Sequence, residues 1–169
     1  GARLSRPVGS AYEYSNLGVG LLGHTLTRIA KTDFDQLVRS RIAGPLGMKV
    51  TSLTVPEPLQ GRLAQGHSLE SGTLQPAKPW TWRSTSAGAG AGGLRSTARE
   101  MIRFLSAHLG FLESDLSGSL AAARKERTDA GGPEMGIGFA WHLRKSGGRT
   151  VVWHNGGTGG FRTCVGFTD

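Results

Sequence analysis

The spacing of apolar residues changes once along the chain, near Gly136, and this change limits what the chain can fold into. Before that point apolar residues recur at helical spacing. After it, three runs are typical of strands: Ile137–Leu143, Thr150–Trp153 and Phe161–Phe167. Helices followed by consecutive strands predict an α+β fold with an antiparallel meander. We expect one domain over residues 1–169, mainly helical with long loops over 1–135 and built of antiparallel strands over 136–169.

Helix start signals divide the first part of the chain. Each of the three main helices follows a residue that can accept hydrogen bonds from free N–H groups: Ser15 or Asn16, Asp33, and Thr97. Glu100, three residues after Thr97, completes a capping box. A shorter helix is expected over Ser119–Arg127. The first helix has apolar residues at helical spacing: Leu17, Leu21, Leu22, Leu26 and Ile29.

Residues 50–95 form a proline-rich stretch that predicts a long, mostly irregular excursion. Trp80 and Trp82 would fix it to the rest of the fold. An irregular segment of this length inside a compact domain is usually functional or forms a wall of a site. A turn is expected farther on at Ser146-Gly147-Gly148, between the first two strand-like runs.

Charge and hydropathy exclude several function classes. The 20 Lys and Arg residues against 12 Asp and Glu give a formal charge of +8, but they are scattered along the chain. The longest basic cluster, at residues 124–127, is interrupted by an acid. We therefore expect a solvated basic surface and no nucleic-acid partner. No apolar run approaches the roughly 20 residues that a membrane helix needs, so no membrane partner is expected.

Cysteine and histidine patterns predict no cofactor and no metal. The single cysteine, Cys164, excludes an internal disulfide and a cysteine-only metal site. Its apolar strand predicts a buried, inert thiol. The five histidines lack metal-ligand spacing. Two of them, His24 and His108, are interpreted as ordinary helix residues.

Two segments carry side chains suited to chemistry. Tyr14, before the first helix, could relay a proton, and Asn16 could direct its amide to the same pocket. Taken alone, this pair also fits a helix cap beside a packed tyrosine. The second segment, Trp153–Phe161, carries His154 into a run of glycines that would let a substrate lie against backbone N–H groups. It also fits a glycine-rich hairpin with a surface histidine.

Four stretches of the chain resemble, in order, the serine β-lactamase and penicillin-binding-protein superfamily. They are Tyr12–Gly18, Ile42–Met48, Ala91–Ala98 and His154–Phe161. The resemblance is greatest to class C β-lactamases, family VIII esterases and related D,D-peptidases. It implies a β-lactamase-like fold, here incomplete relative to the family, over residues 1–169.

The resemblance also implies roles for individual residues. The family's Tyr-x-Asn motif falls on Tyr14 and Asn16, where the tyrosine assists proton transfer and the asparagine contacts the substrate amide. The third motif, Lys-Thr-Gly in many members, falls on His154–Gly156 in its histidine form, and an oxyanion donor follows it directly. The implied catalytic residues are Tyr14, His154 and the Gly157 backbone N–H; the implied substrate-binding residues are Asn16, Asn155, Gly156 and Thr158.

One departure from the family pattern is large. The family nucleophile comes from a Ser-x-x-Lys motif, and no serine of this sequence has a lysine three residues later. We expect a segment of a serine hydrolase that acts on a β-lactam amide or an ester, with the histidine form favouring an ester or weak lactam cleavage. The alternatives are a non-catalytic binding module with the same pocket and, less favoured, a basic nucleic-acid-binding domain.

Expectations about assembly and location follow from the same departure. Strands without their neighbours would expose edge N–H and C=O groups, so we expect a homo-oligomer or a complementing chain segment besides the small-molecule substrate. No signal peptide follows Gly1, but a leader can have been removed, so the sequence leaves the location open. Family habit implies a periplasmic or secreted protein; otherwise a cytoplasmic one is expected.

Overall fold

The computed structural model describes residues 3–168. Its four α-helices are α1 (Asn16–Ala30), α2 (Phe34–Val38), α3 (Ala98–His108) and α4 (Ser117–Arg124). The expected caps are confirmed, because Ser15, Asp33 and Thr97 each accept a hydrogen bond from a first-turn N–H group. A π-helical turn, Arg39–Ala43, continues α2, and a 3₁₀ turn spans Glu57–Arg62.

Within residues 3–168, seven strands form two antiparallel sheets. They are β1 (Gly66–Glu70), β2 (Thr73–Ala77), β3 (Thr128–Gly132), β4 (Met135–Ile137), β5 (His142–Ser146), β6 (Arg149–Thr158) and β7 (Phe161–Thr168). The first two make a separate hairpin, and the other five form one sheet in sequence order. The α+β class and the antiparallel meander are therefore confirmed.

Three elements differ from the sequence expectation. The hairpin β1–β2 lies inside the stretch expected to be irregular, and β3 lies before Gly136, in the part expected to be mainly helical. The single run expected over Ile137–Leu143 is two strands, because the chain leaves β4 at Ile137 and reaches β5 only at His142. Ala140 between them has a φ of +65°, which no regular strand residue adopts. The short helix starts and ends earlier than expected, at Ser117–Arg124.

The turn between β5 and β6 is confirmed and has two residues. Ser146 pairs with Arg149 across Gly147 and Gly148. Both glycines have positive φ, +57° and +75°, as the type I′ turn of a two-residue hairpin requires. This turn fixes the register of the two strands.

Helix α3 lies between two apolar clusters and packs the helices onto the sheet. One cluster joins the segment after α2 to α3 and α4: Ala43, Leu46, Met48, Ala107 and Leu120. The other joins three strands and the loop before β5: Trp141, Leu143, Val152 and Phe167. Phe104 of α3 packs against both clusters. The core is therefore on one face of the five-stranded sheet.

Glu100 is buried in α3 and ties the helix to the chain before it. Its carboxylate accepts hydrogen bonds from the Val50 N–H at 2.9 Å and from the Thr51 hydroxyl at 2.6 Å. The N–H of Glu100 donates to the Thr97 hydroxyl. The capping box is thus half formed, because the carboxylate contacts residues 50 and 51 rather than the Thr97 backbone.

Cys164 is exposed, so the expectation of a buried thiol was wrong. It lies on β7, at the edge of the sheet, and pairs with Asn155. The buried positions of β7 are on the alternate side, where Phe167 joins the core. The apolar character of the strand did not indicate which of its faces is covered.

Helix α1 contacts the rest of the structure through glycines. Gly20 and Gly23 are its buried residues. They approach the loop at Ala87–Gly90 so closely that a Cβ on Gly20 would lie 2.5 Å from the Ala87 carbonyl oxygen. The predicted apolar face of α1 points the other way, and its side chains are 46% to 74% exposed: Leu17, Leu21, Leu22, Leu26 and Ile29. The helical spacing was right, but this face has no partner among the described residues.

We expect opposite effects from alanine at two glycines of α1. Gly20→Ala should destabilise the chain by about 1–3 kcal/mol, since the new methyl group meets backbone that cannot move away cheaply. Gly18→Ala is the matched control, because a Cβ on Gly18 would meet only Ser15, at 3.4 Å. This substitution should stabilise the helix by up to about 1 kcal/mol. Urea unfolding of both variants measures the difference, and equal midpoints would contradict the close packing of α1.

None of the helices described over residues 3–168 is both long enough and apolar enough to cross a membrane.

Candidate active site

The chain before α1 places Tyr14 at the surface of the fold. The Tyr14 hydroxyl donates to the Asn16 side-chain oxygen at 3.2 Å. Ser15, between them, caps α1 through its hydroxyl, which fixes the backbone at this point. The ring of Tyr14 is 58% exposed. Tyrosine and asparagine of the Tyr-x-Asn segment therefore share one local hydrogen bond and face accessible space.

The second segment meets the first on strand β6. The rings of Tyr14 and His154 lie 6.4 Å apart between centroids, tilted by 36°. His154 pairs in register with Val165 of β7, and the following residues Asn155, Gly156, Gly157 and Thr158 continue the same strand. The two segments singled out in the sequence are thus adjacent in space.

The turns at the two ends of β6 determine which way its backbone groups point. Residues that flank a two-residue turn exchange N–H···O bonds, and the direction alternates along each strand. The backbone N–H and C=O groups of Arg149 therefore point toward β5, as do those of every second residue up to Gly157. The backbone groups of Thr158 point toward β7. Since β5 pairs only as far as Trp153, Asn155 and Gly157 direct their N–H and C=O groups to an edge that no described strand covers. An uncovered N–H is what an oxyanion donor needs.

Glycines beyond His154 allow close contacts on the side of β7. A Cβ on Gly156 would lie 2.8 Å from the Thr163 hydroxyl. A Cβ on Gly157 would overlap the guanidinium of Arg162, its partner on β7. Arg162 therefore covers the side-chain position of Gly157 and leaves the backbone edge open.

The turn after β6 is held by the loops around it. The methyl group of Thr158 lies against Gly92, and the indole of Trp80 lies against Gly159. The His67 N–H donates to the Gly160 carbonyl at 2.8 Å, which docks the β1–β2 hairpin onto this turn. The excursion over residues 50–95 thus packs against the turn at one end of the candidate site.

His142, which the sequence analysis did not single out, is part of this group of rings. Its ring lies 5.3 Å from that of His154 and 4.8 Å from that of Trp153, nearly parallel to both. Burial, and secondly the charge of His154, hold the pKa of His142 below its ordinary value of 6.5. A signal was available in the sequence: extending the pairing outward from the turn at Gly147-Gly148 places residue 142 opposite residue 153.

Comparison with known proteins shows the family of this chain. The family model described as Beta-lactamase matches residues 1–168. The chain belongs to the β-lactamase family. Among curated relatives, the D-alanyl-D-alanine-carboxypeptidase/endopeptidase AmpH of Escherichia coli (strain K12) is 31% identical over 97% of this chain and 44% of its own length.

Solved structures show the same β-lactamase fold. A class C β-lactamase aligns over 98% of this chain and 51% of its own with a TM-score of 0.82 and 18% identity. A D-alanine carboxypeptidase AmpC from Burkholderia cenocepacia aligns over 98% and 55%, with a TM-score of 0.81 and 21% identity. The chain spans about half the length of these three proteins. The family assignment and the β-lactamase-like, incomplete fold expected from the motifs are therefore confirmed.

Proposed function

We propose that this chain supplies one part of a serine acyl-transfer site that hydrolyses a β-lactam amide or an ester. The observation that carries the proposal is the approach of Tyr14 to His154, 6.4 Å between ring centroids, because it unites two motifs from distant parts of the sequence. Membership of the β-lactamase family supports the reaction class.

In the proposed reaction a serine oxygen attacks the substrate carbonyl and the C–N or C–O bond then breaks. The leaving group takes a proton, and water afterwards cleaves the acyl-serine bond to return the free serine. Tyr14 assists the proton transfers and His154 lies beside it. The Gly157 N–H, at the open edge of β6, donates to the developing oxyanion. Asn16, Asn155, Gly156 and Thr158 contact the substrate.

The motifs identified in this chain do not include the nucleophilic serine of the proposed reaction. The sequence contains no Ser-x-x-Lys, and the chain spans about half the length of its relatives. We propose that a complementing segment supplies the nucleophile, because a second copy of this chain has the same sequence and also lacks Ser-x-x-Lys. The exposed apolar face of α1 supports this, because five large apolar side chains on one helix face are expected to be covered.

Intact-mass measurement tests whether the chain is acylated. A fluorescent penicillin, and separately a nitrophenyl ester, would be added to the purified chain. We expect no adduct and no turnover from the chain alone, and an adduct when a complementing segment with Ser-x-x-Lys is present. An adduct on a residue of this chain would contradict the proposed source of the nucleophile, and no adduct in either preparation would contradict the acyl-transfer function.

Tyr14→Phe should slow acylation by about 100-fold or more in the complemented preparation, because it removes the hydroxyl that transfers protons. The affinity for a non-hydrolysed ligand should change little, since the ring remains. Tyr12→Phe is the matched control and should leave the rate unchanged. Stopped-flow acylation kinetics measures the difference. Equal rates for Tyr14→Phe and the unmodified chain would contradict the role of the hydroxyl in proton transfer, whereas ligand binding without any acylation would favour a non-catalytic binding module.

A further inference from the structure

Three rings form a continuous stack behind Tyr14. Trp153 lies 4.8 Å from His142, and His142 lies 5.3 Å from His154, with interplanar angles of 28° and 30°. Tyr14 follows at 6.4 Å on the other end of the stack. The only ring that contacts both Trp153 and His154 in this stack is that of His142.

The backbone holds His142 firmly in this place. His142 is the first residue of β5 and pairs in register with Trp153 of β6 and with Ile137 of β4. His154 is flanked on β7 by Val165. The neighbouring strands thus place apolar partners opposite both histidines. The titratable groups that face His142 in the ring contacts of residues 3–168 are His154 and, beyond it, Tyr14.

We propose that His142 is a positioning residue for the site: a neutral ring, backed by Trp153, that orients His154 toward Tyr14 and keeps the histidine pair from carrying two charges. Two positive imidazoles at this separation repel each other, and burial adds a cost for the charge on the inner ring. A positive charge on His142 is therefore disfavoured. The lowered pKa of His142, from burial and the charge of His154, agrees with this.

With His142 neutral, the inner ring adds no positive charge beside His154 and Tyr14. A positive charge on His142 would raise the electrostatic potential beside Tyr14, and the ring contacts within residues 3–168 give it no anionic partner. This inference rests on the proposed function because it takes His154 as a site residue. The coupling between the two histidine rings can nevertheless be measured in a chain that turns over no substrate.

Histidine ring resonances measured by NMR against pH test the coupling. In the chain labelled with ¹³C and ¹⁵N at histidine, we expect His142 to titrate below its ordinary pKa of 6.5. In His154→Gln the titration midpoint of His142 should rise, because the repelling imidazolium is gone. His24→Phe, which removes an exposed histidine of α1, is the control and should leave that midpoint in place. An unchanged midpoint in His154→Gln would overturn the coupling.

Two variants of His142 test the positioning. His142→Phe keeps a flat ring and should preserve the nuclear Overhauser contacts between the rings of His154 and Tyr14. His142→Ala removes the ring and should weaken or abolish those contacts in a chain whose other resonances stay dispersed. If His142→Ala keeps the contacts, or His142→Phe loses them, His142 does not position His154 by stacking. A failure of acyl transfer in the mass measurement would leave each of these results unaffected.

Discussion

His108→Phe should remove most of a stability loss that the unmodified chain shows between pH 6.5 and pH 4. His108 is only 4% exposed and its ring is surrounded by those of Phe104, Trp141 and Phe167. Neither ring nitrogen has a hydrogen-bond partner among the described residues. Burial, and secondly the charge of Arg124, lower the pKa of His108 from 6.5 to about 4. The folded chain therefore keeps this histidine neutral.

The direction of the pH effect follows from the lowered pKa. The unfolded chain binds a proton at His108 near pH 6.5, whereas the folded chain binds it only near pH 4. The stabilising contribution is complete above pH 6.5 and is lost as the pH falls toward 4. The loss amounts to about 3 kcal/mol at the acid end. Phenylalanine fits the aromatic surroundings and leaves no unpaired ring nitrogen, so it should also be tolerated at pH 7.

Urea unfolding at pH 7 and pH 4 measures this difference. The unmodified chain should lose more stability over that interval than His108→Phe. His24→Phe is the matched control, because His24 is an exposed helix histidine and its replacement should leave the acid loss in place. The same acid loss in all three chains would show that other groups, rather than His108, cause it.

Glu100→Ala should destabilise the chain by about 3 kcal/mol, because it removes the acceptor of two hydrogen bonds in a buried place. The Glu100 side chain is 7% exposed, and it binds the Val50 N–H and the Thr51 hydroxyl. Without the carboxylate, the half-buried Val50 N–H loses its acceptor. Alanine is a good helix former, so the expected loss does not come from α3 itself.

Thermal or urea unfolding of Glu100→Ala measures the effect, with Glu57→Ala as the control. Glu57 is exposed in the 3₁₀ turn, and its replacement should change stability by less than about 0.5 kcal/mol. Similar small losses of stability for the two variants would mean that the hydrogen bonds from residues 50 and 51 to the Glu100 carboxylate contribute little to the stability of the fold. Glu100→Gln, which keeps an acceptor oxygen, should lie between the two.

Local signals predicted much of the fold. Ser15, Asp33 and Thr97 were identifiable as caps because their side chains satisfy N–H groups within the same turn. The Gly147-Gly148 turn was identifiable because positive φ at both positions favours glycine. Tyr14 and His154 were singled out by the motifs, but only the fold could show that their rings are adjacent.

The features that could not be predicted from the sequence depend on contacts between residues that are distant along the chain or on pairing with a neighbouring strand. Strand β3 is poor in residues that favour strands, and it forms through its pairing with β4. The outward apolar face of α1 has regular helical spacing, which indicates a helix but not what covers it. His108 and His142 were missed because a histidine gives no sign in the sequence of the rings that surround it in the fold.

The sequential order of the five-stranded sheet has a consequence for the order of folding. Every pairing in this sheet joins neighbours in the sequence, and short loops close with a small loss of chain entropy. Contacts of low sequence separation form quickly, so the meander is expected to assemble early. Tyr14 can reach His154 only after the chain's first helix docks on the loop near residue 87. The site should therefore be completed in one of the last steps of folding, after its own strand is already in place.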